Sequence, residues 1–188
     1  MNEKFIIFEG AIDQQATTQL AQAIEAFVKK GAQKITILFS SLGGNIYEGF
    51  LLATIIQNSK VPINIHATNH IDSIANVIYL AAKERSAESH VKFYLHGASV
   101  QGNFDEKGLR EKLLELKTQN SRIAAFITEN SSVLTKKIRY MMRVGTTLSA
   151  KDAHKLKIVQ TICHKEIPPE AERIDVIYIN WYGEQQSH

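Results

Sequence analysis

The chain has 188 residues, of which 44% are hydrophobic and 22% are charged, a composition typical of a single globular domain with a substantial core. Its 22 basic and 19 acidic side chains leave a formal net charge of +3, with no dense run of lysine and arginine. We therefore expect neither nucleic acid nor a membrane surface as a partner. The single cysteine, Cys163, excludes an internal disulfide and any metal site built from several thiolates.

The amino-terminal segment 1–9 has four consecutive apolar residues before an acid, which is typical of a strand and not of a signal peptide. A membrane-spanning helix requires a run of about eighteen apolar residues, and the sequence has none. These features predict a cytoplasmic location.

Strands and helices are predicted to alternate through about the first hundred residues. The expected strands are 5–8, 34–39, 61–66 and 91–95, and the expected helices are 15–30, 46–57 and a helix from Ser73 to about Lys83. This alternation favours an α/β fold of stacked βαβ units with right-handed crossovers.

The rest of the chain is predicted to be mainly helical. A long amphipathic helix is expected at 106–129, and because of its length part of it is free to face a partner. Its apolar stripe consists of Leu109, Leu113, Leu116, Ile123 and Ile127. Further elements are expected in the order helix 134–143, helix 149–156, strand 158–162 and strand 173–181, followed by a loose polar end.

Three features have the spacing of a hydrolytic site. Ser73 lies at a predicted strand-to-helix junction, about thirty residues after the pair Gly43–Gly44 and about twenty before His96, which ends a strand. A serine hydrolase needs a nucleophile, a base and amide donors for an oxyanion. Taken alone, the serine is more typical of a helix N-cap and the glycine pair of a plain tight turn.

Several segments resemble the proteolytic subunit of the Clp protease, ClpP, and its phage-type relatives, in order and spacing over roughly residues 4–162. They are 4–10, similar to the first core strand; 39–49, similar to the Ser-Pro-Gly-Gly turn and its helix; 73–82, similar to the nucleophile segment; 91–96, similar to the strand that delivers the catalytic histidine; and 148–153, similar to the Leu-Ser-Ala helix start.

The resemblance implies the ClpP/crotonase-like fold, a stacked ββα/βαβ superhelix with a long protruding handle helix. The ClpP-like domain would cover 1–167, with the handle at about 106–129, and 168–188 would be a carboxyl-terminal extension with one strand. Because the first strand begins almost at the start of the sequence, little is left for axial loops, and we do not expect a standard ATPase partner.

The same resemblance implies a serine endopeptidase without a metal or another cofactor. Ser73 is the implied nucleophile, His96 the base, and the backbone amides of Gly44 and Ile74 the oxyanion hole. Glycine at 44 suits a backbone that substrate approaches closely. The implied substrates are peptides or unfolded proteins, and the implied assembly is a ring-type homo-oligomer mated through the handle helix.

The sequence also departs from the family pattern. Leu42 replaces a proline, Asn69 replaces a glycine, and Asp72 replaces a small apolar residue directly before the serine, where a carboxylate disfavours a developing oxyanion. Gly145 stands where the family has its catalytic aspartate, and segment 140–150 contains no carboxylate. Loss of the acid from a triad typically lowers turnover by about four orders of magnitude.

Two other functions therefore stay open. One is a catalytically degenerate ClpP-like protein that acts in assembly or regulation, and the other is acyl-CoA chemistry, as in the crotonase relatives. For the base, His66, His70 and His90 are rivals of His96, and His70 is only three residues from Ser73. A Ser–Lys dyad is less favoured, because nothing in the spacing distinguishes Lys83, Lys92 and Lys107 from surface lysines.

Overall fold

An eight-stranded mixed sheet organises residues 2–177, the part of the chain that the computed structural model describes. Its strands are β1 (Glu3–Glu9), β2 (Lys34–Ser41), β3 (Ile63–Asp72), β4 (Glu84–Ala87), β5 (Lys92–Leu95), β6 (Thr146–Ser149), β7 (Thr161–Ile162) and β8 (Arg173–Ile177). The helices are α1 (Gln14–Lys29), α2 (Ile46–Gln57), α3 (Ala75–Ala81), α4 (Glu106–Glu129), α5 (Thr135–Val144) and α6 (Ala150–Lys155). The α/β class predicted from the sequence is confirmed.

The long strand β3 is the branching point of the sheet. The strand order is β6-β5-β3-β2-β1-β8, and β4 pairs with both β3 and β7. The first half of β3 pairs with β4, whereas its last residues, 70–72, pair with β5. Every pair is parallel except that of β5 with β6. The carboxyl end of β3 therefore lies beside β5, and the residues that follow the two strands meet at one edge.

The core lies between the parallel strands and the helices that pack on them. Because helices cover these strands, their sequences are near-continuous apolar runs. Phe8 of β1 and Phe39 of β2 are both fully buried, with ring centroids 5.2 Å apart. Every residue of α3 is buried, including the bulky Tyr79. Full burial of one such side chain contributes roughly 1.5–3 kcal/mol. The helix that follows Ser73 is thus an interior element, which gives the serine a rigid support.

The longest helix, α4, has the bounds predicted from the periodicity. Asp105 caps its amino terminus by accepting a hydrogen bond from the amide of Gly108. Its buried residues all lie in its second half; they are Gln119, Ile123, Ala124 and Ile127. Its first half exposes Leu109, Leu113 and Leu114. The first half of α4 therefore does not contribute to the core.

Several element boundaries differ from the prediction. β3 continues to Asp72 and does not end at His66, because its second half gains β5 as a partner. The strand β4 was not predicted, since its sequence is polar and only pairing with β3 and β7 makes it a strand. Ser149 ends β6 and caps α6 instead of opening a helix, α3 ends at Ala81, and β7 is only two residues long.

The carboxyl-terminal strand β8 joins the edge of the sheet parallel to β1. Glu172, just before it, forms ion pairs with Lys4 and Lys30. The predicted continuation of this strand to residue 181 and the loose polar end lie outside the described residues. Across residues 2–177, no helix combines the length and the apolar character that crossing a membrane would need.

Candidate active site

Ser73 occupies a sharp turn between the end of β3 and the start of α3. Its φ of +57° lies in the left-handed region, which is uncommon for a residue other than glycine. Its amide donates a hydrogen bond to the carbonyl oxygen of Tyr94 on β5, at 2.9 Å. A strained strand-to-helix turn of this kind presents the nucleophilic serine in α/β-hydrolases. The sequence predicted the junction, but not the backbone strain.

The buried carboxamide of Asn76 holds this turn in place. Its Nδ2 lies 3.0 Å from the carbonyl oxygen of Ile71, 3.1 Å from that of Ser73 and 3.0 Å from that of Tyr94. The side chain is only 1% exposed, so it joins β3, the turn and β5 inside the core. Sequence reasoning missed this role. The available signal was a polar residue within an otherwise apolar helix.

The glycine pair lies directly against the serine turn. A Cβ on Gly43 would lie 2.6 Å from the Cβ of Ser73, which leaves no room for a side chain. A Cβ on Gly44 would lie 2.3 Å from the carbonyl oxygen of Ile12. Close packing within the chain therefore accounts for both glycines, whereas the sequence suggested close approach of substrate at Gly44.

Two backbone amides next to Ser73 are unpaired. In the hydrogen-bond network of residues 2–177, the N–H groups of Gly44 and Ile74 have no acceptor, although Gly43 donates to the hydroxyl of Ser41. Ile74 directly follows the serine, and Gly44 directly follows the glycine that touches it. Buried amides normally find partners, and of these two residues Ile74 is buried whereas Gly44 is exposed. Free donors beside a candidate nucleophile are the kind of group that stabilises an oxyanion.

His96 follows β5 and is half-buried. Its Nδ1 lies 2.8 Å from the carbonyl oxygen of Gly97, and because a carbonyl only accepts, Nδ1 carries the proton and Nε2 keeps a free lone pair. The ring of Tyr94 stacks on the imidazole, with centroids 5.0 Å apart. Asn120 of α4 accepts a 2.7 Å hydrogen bond from the amide of Ala98 and fixes this segment.

Ser73 and His96 lie on neighbouring segments, yet the two side chains are not hydrogen-bonded. Within residues 2–177, no hydrogen bond joins the serine hydroxyl to any histidine. Their segments are joined by the backbone hydrogen bond from the amide of Ser73 to the carbonyl oxygen of Tyr94, which lies two residues before His96. In hydrolases without substrate, such catalytic hydrogen bonds are often long and tighten only in the complex.

Among the rival histidines, His66 is committed elsewhere. Its Nδ1 lies 2.8 Å from the hydroxyl of Ser86, and its Nε2 lies 3.1 Å from the carboxylate of Glu88. Burial lowers the pKa of His66, while Glu88 acts in the opposite direction. With both ring nitrogens engaged, His66 cannot serve Ser73. His90 is exposed in the turn before β5, and His70 lies on β3 two residues before Asp72.

Asp72 is a half-buried carboxyl directly before the serine. Its Oδ1 has no hydrogen-bond partner among the described residues. Burial raises the pKa of Asp72, and the positive charges that His70 and His96 carry when protonated act in the opposite direction. The carboxyl therefore lies within the electrostatic reach of both histidines.

Gly145, which the sequence predicts to stand where the family has its aspartate, ends α5 with a φ of +69°. A Cβ there would lie 2.8 Å from the phenol oxygen of Tyr94. Tyr94 thus fills the space that a side chain at 145 would enter, and the same ring stacks on His96. Sequence reasoning did not single out Tyr94, since its partner Gly145 is about fifty residues away in the chain.

Comparisons with known proteins bear on the family and the fold of the chain. The sequence model of the Clp protease family matches residues 1–166. Among 584 solved chains of similar structure is a point mutant of ClpP1 from Listeria monocytogenes, at a TM-score of 0.79 and 20% sequence identity, with 86% of this chain and 92% of that chain covered. A search of curated protein sequences gives no significant match.

At 20% identity the structural similarity establishes the fold, and the sequence model, which spans most of the chain, establishes the family. The predicted ClpP fold class is thereby confirmed. This chain belongs to the Clp protease family.

Proposed function

We propose that the chain is a ClpP-like serine endopeptidase, with Ser73 as nucleophile and His96 as general base. The observation that carries the proposal is the strained turn of Ser73, which has unpaired amides of Gly44 and Ile74 beside it. A helix cap does not explain this turn, because a capping serine needs no left-handed backbone, and within residues 2–177 the Ser73 hydroxyl caps no amide of α3.

In the acylation step, the Ser73 hydroxyl oxygen attacks the peptide carbonyl carbon while His96 Nε2 takes the hydroxyl proton. The negative charge that forms on the carbonyl oxygen is stabilised by the amides of Gly44 and Ile74. One such donor is typically worth about 3–4 kcal/mol in the transition state. The C–N bond then breaks, the amine leaves with the proton from His96, and Ser73 carries the acyl group.

Deacylation repeats the sequence with water. His96 Nε2 takes a proton from a water molecule, whose oxygen attacks the ester carbonyl in the same oxyanion hole. The ester C–O bond breaks, and the proton returns to the oxygen of Ser73. The enzyme and a free peptide carboxyl are released.

The base works without the family's aspartate. The carbonyl of Gly97 fixes the tautomer of His96, and the ring of Tyr94 fixes its plane. Neither group carries a negative charge, so neither compensates the imidazolium that forms during attack. Since loss of the orienting acid costs about four orders of magnitude in well-studied triads, we expect slow turnover.

We also propose that the subunit assembles into a ring-type homo-oligomer through the first half of α4. That half contributes no buried residue and exposes Leu109, Leu113 and Leu114. A row of exposed leucines on one helix is typical of a surface that another protein covers. The expected substrates are peptides or unfolded proteins, and the expected location is cytoplasmic.

A second candidate function is a regulatory or assembly subunit without turnover. It is favoured by Gly145, by the carboxyl of Asp72 beside the nucleophile, and by the absence of a Ser73–histidine hydrogen bond in the described residues. On that alternative the fold and the self-association would be retained, and the serine turn would be inert.

Hydrolysis of a panel of fluorogenic peptides by the purified full chain separates the two functions. We expect slow cleavage that the Ser73→Ala variant lacks, while light scattering gives the same oligomer for both proteins. Equal rates for the two proteins would mean that cleavage does not come from Ser73. No cleavage of any peptide by the wild-type oligomer would favour the assembly function.

A further inference from the structure

A basic face lies between α4 and α5, next to the segment that carries His96. Helix α5 contains four basic residues, Lys136, Lys137, Arg139 and Arg143, and no acidic residue occurs between Glu129 and Asp152. The dispersed positions of these cations gave no dense run in the sequence, so only the packing of α5 against α4 makes the face visible.

This face contains a cavity of about 480 Å³ beside Gly97. Three of the side chains that line this cavity are cationic, namely Lys117, Arg139 and Arg143. Within the described residues, 2–177, no acidic side chain lines the cavity. Nη2 of Arg139 lies 3.3 Å from the hydroxyl of Ser121, which holds the guanidinium along the wall. Within the described residues, none of the three cations forms an ion pair.

The position of the cavity links it to catalysis. Gly97, which lines it, follows His96, and its carbonyl oxygen accepts a hydrogen bond from the Nδ1–H of His96. Met142, on the same wall, supplies an apolar surface for a methylene chain. An adjoining cavity of about 590 Å³ shares Arg139 and Arg143 and adds Lys136. A carboxylate bound beside Gly97 would therefore lie next to the base, with further cations extending away from it.

We infer that the cavity beside Gly97 is a substrate subsite for a carboxylate, namely the side chain of a glutamate or aspartate near the scissile bond of a peptide. This inference rests on the proposed peptidase function. Guanidinium groups suit carboxylates because they pair with both oxygens. Uncompensated cations in a partly enclosed cavity attract an anion more strongly than surface lysines do.

Peptide binding to the full-length Ser73→Ala protein tests the inference without any need for turnover. The probes are fluorescein-labelled, amidated peptides that differ only in carrying Glu or Gln at two central positions, and a Gln peptide with a free carboxyl terminus. We expect the Glu peptide to bind about tenfold more tightly than the Gln peptide, with the difference shrinking at high salt. Tighter binding of the free-carboxyl Gln peptide would assign the subsite to the chain terminus and overturn the side-chain assignment.

Variants locate the effect. Arg139→Gln and Arg143→Gln, each in the Ser73→Ala protein, should remove most of the preference for Glu. The matched control is Lys137→Gln, which removes a cation from the same helix but not from the cavity. Equal affinity for Glu and Gln peptides would overturn the inference, as would equal effects of Lys137→Gln and Arg139→Gln. Tighter binding of a single-stranded oligonucleotide than of the Glu peptide would identify a nucleic-acid surface instead.

The binding result is independent of the peptidase result. If the wild-type chain cleaves no peptide but the Glu preference is present and depends on Arg139, the peptidase function fails and the carboxylate site stands. If cleavage occurs but Glu and Gln peptides bind and react equally, the peptidase function stands and the subsite is wrong.

Discussion

The two halves of the candidate site are built very differently. On the nucleophile side, Ser73 is fixed by the hydrogen bond that its amide donates to the carbonyl oxygen of Tyr94, by the carboxamide of Asn76 and by close packing of Gly43. On the base side, His96 is held by the carbonyl of the next residue and by one stacked ring. The first half has buried, redundant support, whereas the second is held in place by neutral groups alone.

This contrast suggests which part of the chemistry has been kept. Positioning of the nucleophile and of the oxyanion donors depends on backbone and core packing, which the fold supplies at the junction of β3, α3 and β5. An orienting acid for the base depends on one side chain, and the sequence predicts Gly145 at its position. We therefore expect a site that reacts with strong acylating agents more readily than it turns over peptides.

Removal of the base should have the largest effect. His96→Ala is expected to lower the rate of fluorophosphonate labelling by about a hundredfold to ten-thousandfold, the usual contribution of a general base. Labelling rates followed by gel fluorescence measure it. The matched control is His90→Ala, which removes an exposed histidine from the turn before β5 and should leave the rate unchanged. A larger loss in His70→Ala than in His96→Ala would assign the base to His70.

Loss of the Asn76 carboxamide should have the second largest effect. Asn76→Ala leaves three buried carbonyl groups without this donor, and we expect a loss of about 1–3 kcal/mol in the free energy of unfolding. Because the serine turn is released, the labelling rate should also fall, by about a hundredfold. Leu20→Ala, a core change in α1, controls for instability: it should cost about 2–5 kcal/mol without slowing labelling. Equal labelling rates of Asn76→Ala and wild type would show that the Asn76 carboxamide has only a structural role.

The predicted position of the missing aspartate, Gly145, allows a test in which an aspartate is introduced there. Gly145→Asp alone should not raise activity, because its Cβ would collide with the phenol oxygen of Tyr94. Tyr94→Ala alone should slow labelling by about threefold to tenfold, since one aromatic stack is worth roughly 0.5–1.5 kcal/mol. The double variant Tyr94→Ala with Gly145→Asp should exceed Tyr94→Ala by at least about tenfold, because an acid regains access to the imidazole.

In the same series, Tyr94→Phe separates the ring from its hydroxyl. It keeps the stack on His96, and we expect less than about a twofold change in labelling. If Tyr94→Phe were as slow as Tyr94→Ala, the hydroxyl and not the ring would be the group that acts on His96.

Neutralisation of Asp72 should have the smallest effect and the opposite sign. Asp72→Asn removes a negative charge beside the developing oxyanion, and we expect labelling to rise by about twofold to fivefold. Because burial raises the pKa of Asp72 in the folded chain, the ionised carboxylate destabilises the fold at neutral pH. The variant should therefore be more stable than wild type at pH 7, and the difference should vanish below the unfolded-state pKa of about 3.9. Urea unfolding at both pH values measures this, and a greater gain at low pH would contradict it.

Much of the fold followed from periodicity and turn residues. The strands β1 and β2 and the helices α1, α2 and α4 have patterns strong enough to read from local sequence. The strand β4 does not, because Glu84–Ala87 becomes a strand only through its neighbours in the sheet. For the same reason the sequence placed the end of β3 six residues early, and this hid the contact between its carboxyl end and β5.

The site was predictable where it depends on order along the chain and not where it depends on packing. Ser73, His96 and the glycine pair are visible as motif residues. The contacts of Asn76 with Tyr94 and the collision between Tyr94 and residue 145 join segments that are separated in sequence. The stack of Tyr94 on His96, two residues along the chain, depends on the orientation of both rings, which no sequence pattern signals. The basic cavity was hidden likewise, since its cations come from two helices.

The central claim is that Ser73 is a competent nucleophile activated by His96. The most direct measurement is the site and rate of covalent labelling of the full chain by a fluorophosphonate, with the modified residue identified by peptide mass spectrometry. We expect a single adduct on Ser73 that forms at least about a hundredfold more slowly in His96→Ala. An intact, correctly assembled wild-type chain with no adduct on Ser73, or with one that forms equally fast without His96, would contradict it.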